Sequence, residues 1–312
     1  MQKLHKTLAL LTFAVLAIFS LQAQAQSADN GRFLSLAPPT GLPIIPVMEG
    51  WVANPDGTTS FSFGYINRND VAVDIPVGTS NYIEPAKYSG LQPTHFPPGR
   101  GTGMFIVTVP SEEADDDIWW HIKTGAEEAL KVPGRRGASA YELDFILPRP
   151  QGAMQPHVGF GEDGPRMPGL MAQTRTRPGT VEAGEPVVLT VNVEDISERD
   201  TTDPRFVEPL PVGVHFSKFQ GPGEVTFEHH ESTEIPENPY EEDDRRYRFF
   251  RALEPGDVEV AGGSGVARVV ATFSVPGEYQ IHTKVENFRG PDSSNGDQCC
   301  WSNVIQTVNV TP

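Results

Sequence analysis

Cysteine is nearly absent from this 312-residue chain: there are two, and they are adjacent. No disulfide framework can staple distant segments, so stability has to come from packed cores. Positive charge is scarce as well. The chain has 24 Lys and Arg against 41 Asp and Glu, a formal charge of −17. Such a surface repels phosphate backbones, which argues against nucleic acid as a partner. Long apolar runs are missing after residue 21. The single strong run, Leu8 to Leu21, is shorter than the roughly 20 residues of a spanning helix. Familiar enzyme signatures are missing too. Gly262-Gly263-Ser264-Gly265 lacks the last Gly of a hydrolase elbow. His230-Glu231 has no second His four residues on. There is no phosphate loop and no dinucleotide fingerprint. A non-catalytic protein is the expectation.

What is present begins with a three-zone N-terminus. Lys3 and Lys6 precede the apolar run, and Ala23-Gln24-Ala25 supplies small residues for cleavage. This is the pattern of a secretory signal peptide over residues 1–25. No Cys follows the site, so a lipid anchor there is not expected. The implied compartment is periplasmic or extracellular, with no membrane span in the mature chain. Residues 26–45, rich in Pro and small residues, read as an extended lead-in.

Pro and Gly are abundant, at 29 and 30, and punctuate short apolar runs. That spacing suits strands joined by turns. Phe61, Phe63 and Tyr65 share a face at the period of two. Asn54-Pro55-Asp56-Gly57 before them carries the chemistry of a tight turn. Gly103 to Val109 and Ile118-Trp119-Trp120-His121-Ile122 are further strands, the latter with Ile118, Trp120 and Ile122 inward. A β-sandwich over 46–150 is predicted. Residues 151–176, crowded with Gly and Pro, read as a linker, with Phe160 and Met167 as the residues that could pin it to a domain surface. From 177 to 312 the alternation returns, with Val187, Leu189, Val191 and Val193 on one face. The fold class is all-β, with two tandem β-sandwich domains.

The strings EAGEPVVLTVNVED, FSKFQGPGEVTF, ATFSVPGEYQIHTKVEN and NVIQTVNVT resemble the strand motifs of bacterial Ig-like and PKD-type sandwich domains. The resemblance implies an Ig-like C-terminal domain in which Tyr279 is the corner tyrosine tying its strand to a loop. It implies no activity, because such domains serve many ends. The first half, with FGYINRN, IPVG and QPTHFPPGR, resembles the N-terminal part of large exported bacterial proteins. That likeness brings no chemistry. A charged insertion at 228–261 departs from the Ig-like pattern. Within it, Asn238-Pro239 and the acidic-then-basic run Glu241 to Arg251 predict a short surface helix, with an edge strand over Arg246 to Leu253 as the competitor.

Few places invite a ligand. Trp119 and His121 share the face opposite Trp120 and form a candidate carbohydrate platform. Asp292, Asn295 and Asp297 gather oxygen ligands in one loop, too few for calcium without help from elsewhere; otherwise no cofactor is expected. His229-His230 on a strand would point to opposite faces and not share an ion. Cys299 and Cys300 are open to three fates in an exported chain: a bond to each other, a bridge to another chain, or a soft metal. The reading that results is an exported, non-catalytic interaction or accessory module with a protein partner at the cell envelope. Its rivals are a carbohydrate-binding module and a metal- or redox-handling accessory using the Cys pair.

Overall fold

The computed structural model describes residues 41–126, 128–137, 141–143, 152–287 and 300–312. The expected signal sequence, most of the expected lead-in, Cys299 and the Asp292–Asp297 loop lie outside the described residues. Among those described there is no α-helix, only short 3-10 turns between strands. No helix there is long and apolar enough to cross a membrane. The chain is all-β, as its alternation predicted.

Among the described residues the first half holds eight strands: β1 (Ile45–Ala53), β2 (Thr59–Asn67), β3 (Val73–Asp74), β4 (Asn81–Glu84), β5 (His95–Phe96), β6 (Gly99–Val109), β7 (Ile118–Ile122) and β8 (Leu130–Gly134). They form sheets ordered β1-β2-β6 and β4-β7-β8, with β3 and β5 as a small pair. The two larger sheets bury an aromatic core. Phe63 stacks on Phe105 at 5.1 Å, and Phe105 meets Trp120 edge-on at 5.0 Å. Phe61, Phe63, Ile118, Trp120 and Ile122 are all at most 1% exposed, so the period of two fixed both faces. The β1–β2 turn closes where Asn54 and Asp56 stand: Asn54 N–H donates to Thr58 O, and Asp56 accepts from Thr58 N–H. The Asp56 side chain bonds the backbone two residues on, as its turn preference requires, and Asn54 Nδ2 adds bonds to Thr58 Oγ1 and Ser60 Oγ.

The second half adds β9 (His157–Phe160), β10 (Gln173–Glu182), β11 (Pro186–Glu194), β12 (Val212–Gln220), β13 (Val225–His229), β14 (Asp257–Val260), β15 (Ser264–Phe273), β16 (Gly277–Glu286) and β17 (Trp301–Thr311). A five-stranded sheet, β10-β17-β16-β12-β14, faces a four-stranded one, β13-β15-β11-β9. All pairings are antiparallel except β10 with β17. The core between them is built from Val, Leu, Ile and Ala, with Phe216, Phe273 and Tyr279. Tyr279 Oη donates to Val275 O at 2.9 Å, the tie that the Ig-like resemblance implied.

Two expectations meet a different structure. The segment 151–176 is not a free linker. Its β9 pairs with β11, Val191 opposite Phe160, and buries Val158 and Phe160 in the second core. Gly159 belongs in that close packing, because a Cβ there would meet Gly164 O and Pro165 O at 2.7 Å. Four residues are too few to show a period, which hid the strand. The insertion forms no α-helix and no edge strand at 246–253, only a 3-10 turn at Tyr247–Phe249. Side chains take over the backbone donors: Asn238 accepts from Tyr240 N–H and Asp244 from Arg246 N–H. Such local bonds compete with a helix that has no apolar face to bury.

The halves share an interface. Phe219 of β12 and Ile305 of β17 are buried in the core of the first half. Asn303 Nδ2 donates to Gly103 O and to Leu170 O, each at 2.7 Å. Gln220 Nε2 donates to Gly90 O and Gln92 O. Buried Lys218 reaches Asp74 at 3.1 Å, and Asp74 also bonds His95 at 2.9 Å. Gly103 has φ +62°, and its α-carbon lies against the Trp301 indole, so a Cβ would stand 2.4 Å from Nε1.

Candidate functional site

The β4-β7-β8 sheet turns one face to the core and one outward. Register fixes what the outer face carries. Tyr82 lies opposite His121, and His121 opposite Lys131; Glu84 lies opposite Trp119, and Trp119 opposite Pro133. Ile83 and Trp120 alternate inward between them, both at most 1% exposed. Trp119 and His121 are therefore brought together on the face that the alternation assigned them. Tyr82 joins them from β4, its ring parallel to the imidazole at 4.4 Å and 6°. His121 Nε2 bonds Glu84 Oε2 at 3.0 Å, and Lys131 Nζ stands 4.5 Å over the Trp119 ring. Trp119 and Tyr82 are half-buried, Glu84 and Lys131 exposed, and His121 nearly covered. The result is a cluster of two half-buried aromatic rings and a nearly covered imidazole, with Lys131 over the Trp119 ring and Glu84 bonded to His121. Such a cluster offers apolar ring edges beside charged groups that can hydrogen-bond.

Sequence reasoning missed Tyr82 and Glu84. Neither has a neighbour in sequence that marks it; only the β4–β7 register brings them beside His121. A polar cluster on the second half was missed for the same reason. His215 of β12 bonds Asp257 of β14 at 2.5 Å and Glu286 of β16 at 3.4 Å, while Lys284 reaches Glu286 at 3.1 Å. Burial opposes the charge on His215, but its two carboxylate partners outweigh it and raise its pKa to about 9. Burial would raise Glu286, yet His215 and Lys284 hold it down at about 2. His282, fully buried and bonded to Asn303 at 3.0 Å, is pushed the other way, to about 3, by desolvation. Glu49 is raised by burial against the pull of Arg100, which it meets at 2.9 Å. These groups are engaged with one another as structural pairs.

His229 and His230 do not converge. His229 bonds Glu254 O and His230 bonds Ser232 Oγ. Among the described residues, no group of three or more His, Cys, Asp or Glu is placed to hold a metal. Asp292, Asn295 and Asp297 lie outside those residues, as does Cys299. Cys300 is fully buried beside Trp301, Leu143 and Leu170.

No protein-family model matches the chain, and no curated protein matches it. Among solved structures, the D00-D0 domain of Intimin is 10% identical, with 86% of this chain and 100% of that one covered and a TM-score of 0.25. Domains 4 and 5 of the S-layer protein SbsC are 12% identical over 86% of this chain and 98% of that one, with a TM-score of 0.23. A conjugative transposon lipoprotein from Bacteroides eggerthii is 11% identical over 42% of this chain and 89% of that one, also at 0.23. Scores this low carry no argument about function, which rests on the geometry of the chain itself.

Proposed function

We propose that this chain is an exported, non-catalytic interaction module that recognises its partner with the outer face of the β4-β7-β8 sheet. The observation that carries this reading is the Tyr82–His121 stack with Trp119 beside it on the same exposed face. Aromatic side chains with fixed rotamers contribute much contact area at little entropic cost, which is why they anchor interfaces. Here the cross-strand stack and the Glu84 bond hold the imidazole in place before any partner arrives. The export half of the proposal rests on the N-terminal pattern of Lys3, Lys6 and the Leu8 to Leu21 run. Purified protein added back to envelope fractions tests the reading. Trp119→Ala and Tyr82→Ala should each weaken retention about tenfold while costing at most about 1 kcal/mol of stability. Unchanged retention of both variants would remove this face from consideration.

A second reading, recognition of carbohydrate, is favoured by the same rings, because pyranose faces stack on Trp and Tyr while Glu84 and Lys131 offer hydrogen bonds to hydroxyls. A glycan array probed with the unmodified protein and with Trp119→Ala separates the two readings. Binding that disappears in the variant supports carbohydrate; a blank array leaves a protein partner.

A further inference from the structure

The insertion carries a feature that the recognition face does not use. Arg245 to Arg251 packs four arginines and three aromatic residues into seven positions of a chain whose formal charge is −17. The segment is displayed rather than packed: Phe249 is 63% and Tyr247 40% exposed, and Arg245, Arg248 and Arg251 are exposed beside them. It is also shaped. Asn238 Nδ2 donates to Tyr247 O, Arg248 lies 4.9 Å over the Phe249 ring, and Arg251 donates to the carbonyls of Arg248 and Phe250. Arg246 is held by Asp244 at 2.6 Å and by the Tyr240 ring at 4.3 Å. Arginine stacked on aromatic rings is the composition of interface anchors.

We propose that this arm docks on the acidic β6–β7 turn of a second copy of this chain. That turn, from Ser111 to Asp117, is anchored by buried Ala114 and presents Glu112, Asp115 and Asp116 to solvent. None of these three has an ion-pair partner among the described residues, whereas Glu113 is taken by Lys87 and Asp117 by Arg135. Exposed Glu241, Glu242 and Asp243 precede the arm and would be repelled by a uniformly anionic lipid surface; the turn confines its unpaired negative charge to three side chains, its flanks being neutralised by Lys87 and Arg135. Because arm and turn are different surfaces, two copies either pair reciprocally, each arm on the other's turn, or add head-to-tail in a row or a ring.

Ionic strength shapes the association. At about 0.01 M salt, with a Debye length near 30 Å, two acidic molecules repel as wholes; at about 1 M, near 3 Å, arm and turn no longer feel each other. Self-association therefore peaks between these limits. The experiment is sedimentation velocity across concentration and salt, on the full chain and three variants: R245E/R248E/R251E in the arm, E112K/D115K/D116K in the turn, and the two combined. All substituted side chains are exposed, and circular dichroism confirms that each variant folds. Each single-segment variant should associate about tenfold more weakly or not at all, and the combined variant should regain association through the reversed charges. A monomer at every salt and concentration, association untouched by either set, or no recovery in the combined variant overturns the proposal. So does retention on phosphatidylglycerol vesicles that depends on the arm and is indifferent to the turn.

Discussion

Replacing Phe219 by Ala tests whether the two halves fold as one unit. Phe219 belongs to β12 of the second sandwich, at the register shift between Lys218 and Gln220. Its ring is 1% exposed, packs in the core of the first half and lies 5.9 Å from the His282 ring. The backbone there also joins the halves, since Thr94 N–H donates to Phe219 O at 2.9 Å. Truncating a buried Phe costs about 3–5 kcal/mol, the transfer term plus the cavity left behind. Against a typical net stability of about 5–15 kcal/mol, that is a large share. The cost falls on the interface, because the hole opens between the halves. Urea unfolding followed by tryptophan fluorescence and by far-UV circular dichroism reads it out. Trp51, Trp119 and Trp120 report the first half, and Trp301 reports the contact with Gly103. The two signals should coincide in the unmodified protein, and the midpoint should fall sharply in Phe219→Ala. A loss below about 1 kcal/mol, or a fluorescence transition well separated from the dichroism transition in the unmodified protein, would refute the shared core. Sandwiches strung on a flexible linker would give that second result.

Five further outcomes can be measured. Gly103→Ala forces a side chain into the left-handed region against the Trp301 ring and should cost about 2–4 kcal/mol, read as a drop in the urea midpoint. His282 binds its proton far less readily folded, at about 3, than unfolded, at 6.5, so stability should fall as pH drops between those values, by at most about 1.4 kcal/mol per unit. His215, held at about 9, has the opposite sign: its contribution is complete below 6.5 and lost as pH rises through 9, and His215→Asn should remove that alkaline limb from the profile of urea midpoint against pH. Cys299 and Cys300 should be joined to each other; intact mass should rise by two hydrogens on reduction, and alkylation of both thiols in unreduced protein would rule the bond out. If the Asp292–Asp297 loop takes calcium, the melting temperature should climb with added Ca²⁺ by mass action, and Asp297→Ala should abolish the climb; no shift in the unmodified protein makes the loop a plain turn.

The strands with a clean alternation were legible because burial on one face leaves a period of two in the sequence. Phe61, Phe63 and Tyr65, or Ile118, Trp120 and Ile122, needed nothing else, and Tyr279 was marked by the turn before it. The short strand β9 was not legible, since four residues carry no period and its Gly159 is required by a close approach that only the fold creates. Phe219 and Ile305 read as ordinary strand residues; that they serve the neighbouring core is a property of the docked halves. The insertion was misread because its charge pattern suits a helix in isolation, while Asn238 and Asp244 bond the backbone first. Half of the candidate site was visible in Trp119 and His121. The other half, Tyr82 and Glu84, is remote in sequence, Glu84 standing 37 residues from His121, and enters only through the register of β4 on β7.

The central claim is that the exposed face of the β4-β7-β8 sheet is where this protein meets its partner. A photo-crosslinking residue placed at position 119 in producing cells tests that most directly, with the same residue at exposed Val188 of β11 as the control. The account predicts a discrete adduct from position 119 that is lost when Tyr82→Ala is added, and none from position 188. Equal labelling at the two positions, or an adduct from 188 alone, would contradict it.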